Sequence, residues 1–182
     1  LIIEPESSVN TEVIEKNFTL IIDRSGSMSG NKIVQAKDAA TFIVQNLNLG
    51  DKFNIVDFSS DVTSFATTHQ DYSITNENQA LAYIDDITAG GSTNISEALT
   101  IAIEQFGAVD QDKANIILFF TDGAATAGET STGGILQAVS EEILLNETNV
   151  FLFTFGVGAS ANEALLTLLA QDNNGLVNFI EP

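Results

Sequence analysis

Apolar residues along this chain follow two patterns that take turns. Near-continuous runs of strand length occupy 18–22 (FTLII), 52–58 (KFNIVDF), 62–65, 114–121 (ANIILFFT), 150–157 (VFLFTFGV) and 176–180. Between them the apolar positions recur at helical spacing. Over 31–47 the stripe is Ile33, Val34, Ala40, Ile43, Val44 and Leu47; over 95–106 it is Ile95, Ala98, Leu99, Ala102, Ile103 and Phe106. Further helices are predicted over 76–85, with Thr75 as N-cap, and over 134–145. Ser160-Ala161-Asn162-Glu163 has the form of a capping box, which predicts a helix through Ala170. The Ser59-Ser60-Asp61 turn joins two short runs and predicts one antiparallel edge hairpin. Strands that read as unbroken apolar runs are buried on both faces, as in parallel sheets covered by helices. The order therefore predicts an α/β fold: a doubly wound, mostly parallel, Rossmann-like sheet with helices on both faces.

Length and charge narrow the function. The 182 residues suit one domain, read as a lead-in over 1–15 and a folded unit over 16–182. The absence of Cys excludes disulfide frameworks, thiolate metal sites and cysteine nucleophiles. No apolar run reaches the roughly 18 residues of a membrane span, so direct membrane insertion is not expected. A start at Leu1, with no Met and no signal-like segment, reads as a piece of a larger multidomain protein. Six basic residues face 25 acidic ones, a net charge of −19, and Lys113 is the only base after residue 52. Such a surface repels phosphate backbones, which argues against nucleic acid as partner.

In doubly wound sheets ligands sit beyond the carboxyl ends of the strands. The first strand run leads into Asp23-Arg24-Ser25-Gly26-Ser27-Met28-Ser29-Gly30, with oxygen side chains at alternate positions. The most apolar run leads into Thr121-Asp122-Gly123, and Gly90-Gly91-Ser92-Thr93-Asn94 forms a glycine-rich loop before a helix. A set of hydroxyls and carboxylates without His or Cys suits a hard cation, and Mg²⁺ or Mn²⁺ ranks above Ca²⁺. With Ser25, Ser27 and Thr93 neutral, such an ion stays electron-poor and favours an anionic oxygen from a partner.

These stretches resemble the von Willebrand factor type A domain. IDRSGSMSGNKI, FNIVDFSSDV, GGSTNI, FFTDGAATAGET and FGVGASANEALLTLLAQDNNGLV carry the resemblance over about 16–182, toward inter-α-trypsin inhibitor heavy chains and their bacterial relatives. It implies sheet order 3-2-1-4-5-6 and a metal ion-dependent adhesion site at Asp23, Ser25, Ser27, Thr93 and Asp122. It further implies capture of an acidic side chain of a partner protein. Arg24, Met28, Ser92 and Asn94 are candidate rim contacts, although Arg24 reads first as solvent-facing and Met28 as an ordinary packing residue. Family members continue into a last helix, which this sequence, ending at Pro182, does not contain. The heavy-chain region that becomes linked to glycosaminoglycan lies outside this domain, and that activity is not carried over.

The leading reading is therefore a metal-dependent adhesion or protein-binding module and not an enzyme. Its partner is a protein or other ligand bearing a carboxylate. The setting is extracellular or at a cell surface, with the periplasm as a variant and a bacterial source expected. Two alternatives use the same residues: a Mg²⁺-dependent hydrolase or phosphoryl-transfer enzyme, and a scaffold with an unused metal site. His69, the single histidine, lies in a polar stretch and reads as a surface residue. Gly156-Val157-Gly158 reads as a strand-to-helix turn, and the match of Asn94-Ile95-Ser96 to an N-glycosylation acceptor as chance.

Overall fold

The computed structural model describes residues 15–108 and 113–180. The expected lead-in, apart from Glu15, lies outside the described residues, as does Pro182. The chain runs β1 (Lys16–Asp23), α1 (Asn31–Gln45), β2 (Lys52–Phe58), β3 (Val62–Ser64), β4 (Gln70–Asp71), α2 (Ile74–Asp86) and α3 (Ile95–Glu104). It continues through β5 (Ala114–Thr121), α4 (Thr132–Leu145), β6 (Val150–Val157), α5 (Glu163–Asp172) and β7 (Val177–Ile180).

One sheet runs β3-β2-β1-β5-β6-β7, with β4 also paired to β2. The pairs of β1 with β2, β1 with β5, β5 with β6 and β6 with β7 are parallel, whereas β3 and β4 run antiparallel to β2. The α/β class is as expected, and the strand order differs by one element. Gln70 and Asp71 are polar and give no apolar signal, yet their backbones pair with Phe53 and Lys52. Two strands rather than one are therefore antiparallel.

Helices cover both faces. Ile21, Val56, Phe58 and Phe119 pack under residues of α3, α4 and α5. On the other face Leu20, Ile22, Phe53 and Ile55 pack under Ala36, Ala40 and Val44 of α1 and Ala80 and Ile84 of α2. Small residues at the α1 contact let that helix lie close to the sheet. Fully burying each Leu, Ile, Val or Phe side chain of these two clusters contributes about 1.5–3 kcal/mol. Farther along the second face cover thins, and Phe151 on β6 is 41% exposed.

Three helix starts differ from expectation, and caps explain each. Ser73, extended at φ −154° and ψ 157°, accepts from the Asn76 amide and starts α2 ahead of Thr75. Ile74 is exposed, so it falls outside the apolar stripe that marks the helix. Ser131 accepts from the Gly134 amide and starts α4 early. Asn162, not Ser160, caps α5 by accepting from the Leu165 amide at 3.2 Å.

His69 is the clearest departure: it is buried. Pairing of the next residue, Gln70, with Phe53 draws it inward. Its Nε2 lies 2.8 Å from Thr19 Oγ1 and its ring packs on Phe106 at 4.6 Å between centroids. Asn17, also fully buried, donates from Nδ2 to Asn115 Oδ1 at 2.9 Å.

Burial lowers the His69 pKa from 6.5 to about 4. The unfolded chain then binds this proton more readily than the folded one. Stability owed to the neutral ring is complete above about pH 6.5 and is lost as pH falls toward 4. Urea unfolding is expected to show a loss of about 2 kcal/mol from this group between pH 7 and pH 5. In His69→Gln that share of the pH dependence should disappear; an unchanged slope would assign it to other groups.

Candidate metal centre

The in-register pairing of Ile22 with Phe120 ends β1 and β5 side by side. Asp23 closes β1 and Asp122 follows β5 directly, so their carboxylates emerge at neighbouring strand ends, both at 0% exposure. Each oxygen has a donor. Asp23 Oδ1 accepts from the Ser25 amide at 2.7 Å, a turn that bends the chain away from the strand. Asp23 Oδ2 accepts from Thr121 Oγ1 at 2.5 Å. Asp122 Oδ1 accepts from Ser27 Oγ at 2.7 Å, and Asp122 Oδ2 from Lys32 Nζ at 2.5 Å.

Gly26–Met28 form a single 3₁₀ turn that brings the Ser25 and Ser27 hydroxyl oxygens to 3.1 Å from each other. Asp23, Ser25, Ser27 and Asp122 are thus one connected group. Thr93, which is buried, is tied by its backbone to the loop after β5 and not to these four side chains. Its amide donates to Thr126 Oγ1 at 2.9 Å, and its carbonyl accepts from the Thr126 amide at 2.9 Å. Its own loop is tied to the serine loop by Gly26 N–H to Gly91 O at 3.0 Å and by Gly90 N–H to Arg24 O at 2.7 Å. Gly91 has φ 87°, and a Cβ there would meet the Ser59 and Ser60 hydroxyls at 3.0 Å. Only glycine fits this close approach without strain.

Three of the four candidate rim residues have other engagements. Met28 is 0% exposed and packs with Leu20, Ile22 and Ala36, because the 3₁₀ turn points it into the core. Arg24 is not a free cation. Its guanidinium pairs with Asp57, donates to Ser59 Oγ at 2.8 Å and meets Asp61 Oδ2 at 2.9 Å. Asn94 is half-buried, donates from Nδ2 to Glu97 Oε2 at 2.5 Å, and lies against Gly128. Ser92 and Ser27 are exposed.

Three residues that sequence reasoning did not assign to the site also belong to it. Thr121 holds Asp23. Lys32 holds Asp122. Ser160 donates to the Asp122 carbonyl at 3.1 Å instead of capping α5. Thr121 sat beside Asp122 in the motif, whereas Lys32 and Ser160 gave no signal in the sequence.

Burial raises the Asp23 pKa; hydrogen bonds from Ser25 and Thr121 oppose the rise, and the charge of Asp122 adds to it. Two carboxylates in one water-poor place favour company from a cation. Among the described residues no three of His, Cys, Asp and Glu gather as metal ligands. The candidate donors are therefore two carboxylates and neighbouring hydroxyls, and hard oxygens of this kind fit a hard divalent ion.

Residues 17–182 match the family model of the von Willebrand factor type A domain. The chain is 34% identical over 171 residues to human inter-alpha-trypsin inhibitor heavy chain H4, covering 91% of this chain and 18% of that protein. It is 33% identical to pig heavy chain H2 over 182 residues, covering 97% of this chain and 19% of the relative. It thus spans about a fifth of the length of these relatives.

Among solved structures, von Willebrand factor type A from Catenulispora acidiphila superposes with TM-score 0.81 at 20% identity, over 93% of this chain and 39% of that one. Proximal thread matrix protein 1 from the mussel byssus, described with a zinc-occupied MIDAS motif, gives TM-score 0.70 at 21% identity. That match covers 91% of this chain and 44% of the neighbour. This chain belongs to the von Willebrand factor type A domain family.

Proposed function

We propose that the chain is a binding module that holds Mg²⁺ or Mn²⁺ among Asp23, Ser25, Ser27, Thr93 and Asp122. Through that ion it captures a protein or other ligand bearing a carboxylate. The observation that carries the reading is the pair of fully buried carboxylates, brought together by β1 and β5 and faced by the Ser25 and Ser27 hydroxyls. A bound divalent ion would supply positive charge to this pair and Lewis acidity toward an anionic oxygen. The residues' own part is to orient. Thr121 fixes Asp23, Ser27 fixes Asp122, and the backbone ties from Gly91 and Thr126 hold the three loops at fixed spacing.

Hydrolysis by the same centre finds less support. A general base must reach the reacting atoms. His69 is bonded to Thr19, four residues before Asp23 on β1, and packs on Phe106. We place the module at a cell surface or outside the cell, as part of a longer protein. The partial coverage of the heavy-chain relatives supports the second point. Among the described residues no helix is long and apolar enough to cross a membrane.

Calorimetric titration with Mn²⁺ is expected to show one site in the parent chain and none in Asp23→Ala. Thr121→Val should lose about 10–100-fold in affinity, the usual effect of removing a group that orients a ligand. Equal heats from the parent and Asp23→Ala would reject the centre. Association with an acidic partner proceeds against a net charge of −19. Its on-rate, followed by stopped flow, should therefore rise with added salt as the Debye length shortens to about 8 Å; faster association at low salt would contradict this.

A further inference from the structure

Lys32 stands in an electrostatically adverse place. It is the second residue of α1, where the helix presents the positive end of its dipole and a cation is disfavoured. Its side chain is nonetheless held. Nζ meets Asp122 Oδ2 at 2.5 Å and Ser160 Oγ at 3.3 Å, while Ser160 itself donates to the Asp122 carbonyl. The loop after β6 closes over its stem: Gly158, at φ 83°, leaves room that a Cβ would take, 3.0 Å from Lys32 Cε. Arg24, the other cation at this end of the sheet, is turned to Asp57 and Asp61 and leaves the centre's carboxylates alone.

Resting on the metal-centre reading above, we propose that Lys32 sets the ligand preference of the centre. Asp23 and Asp122 bring two negative charges, and Lys32 returns one positive charge at contact distance. With a divalent ion present, the group as a whole carries one net positive charge and so prefers an anionic ligand to a neutral one. Without Lys32 the same group would be neutral. The ammonium also repels the incoming ion and occupies an Asp122 oxygen, so it lowers metal affinity in return for anion selectivity. A charge this near a partly buried ion changes affinity by about tenfold even after generous screening.

The test uses the parent chain, Lys32→Met and Lys32→Arg, with Asp23→Ala as control, titrated with Mn²⁺ by calorimetry. Acetate is then titrated into each Mn²⁺-loaded protein while water-proton relaxation is followed. Lys32→Met is expected to bind Mn²⁺ about tenfold more tightly and to require about tenfold more acetate for the same relaxation change. Lys32→Arg, which keeps the charge, should resemble the parent. Lys32→Gln serves in place of Lys32→Met if circular dichroism shows the latter unfolded. Mn²⁺ binding by the uncharged variant no tighter than the parent's, or an unchanged acetate response, overturns the proposal while leaving the centre standing. No Mn²⁺ binding by the parent or by any Lys32 variant overturns the centre itself and this proposal with it.

Discussion

Two carboxylates at adjoining strand ends, both out of water, set the terms for everything around them. The pairing of β1 with β5 puts Asp23 and Asp122 there, and Asp23 feels its lost hydration and the charge of Asp122. Such a pair is costly. Apolar residues in place of buried charges are often neutral or stabilising. Keeping two carboxylates buried at the ends of two central strands therefore points to a task that apolar side chains cannot perform. The raised pKa of Asp23 is the direct mark of that cost. The donors from Ser25, Thr121, Ser27 and Lys32 are what make it bearable.

Those donors are held by a frame of backbone bonds. The serine loop, the glycine-rich loop and the loop after β5 are joined by Gly26 to Gly91, Gly90 to Arg24 and Thr126 to Thr93. The end of β2 is joined in as well, through Arg24 N–H to Phe58 O at 2.8 Å and Asn94 N–H to Ser59 O at 2.9 Å. Arg24 reinforces this frame from below by binding Asp57, which also accepts from Tyr83. Because amides and carbonyls do most of the joining, side-chain rotamers need not be frozen to keep the spacing. A site whose parts are set before a ligand arrives loses less entropy on binding.

Charge acts here at two ranges with opposite sign. At long range the molecule is strongly acidic, which holds anions off. Within a few ångströms of Asp122, Lys32 reverses part of that field. Salt screens the first effect far more than the second, because partly buried contacts lie inside the screening length.

Much of this was legible in the order of residues. Alternating strand and helix periods are local properties, so the α/β class, the major strands and the helical stripes follow from them directly. The oxygen-rich turns at Asp23 and Asp122 were visible because glycine and hydroxyl residues there interrupt otherwise apolar runs. What the chain order could not convey depends on distance between remote residues. His69 sits in a polar stretch, and only the pairing of Gln70 with Phe53 draws it under Phe106. Lys32 and Ser160 are 128 residues apart and meet at Asp122 because α1 and the loop after β6 end over the same strand tips. Local pattern is written in neighbours along the chain, whereas the company a buried charge keeps is decided only when the sheet closes.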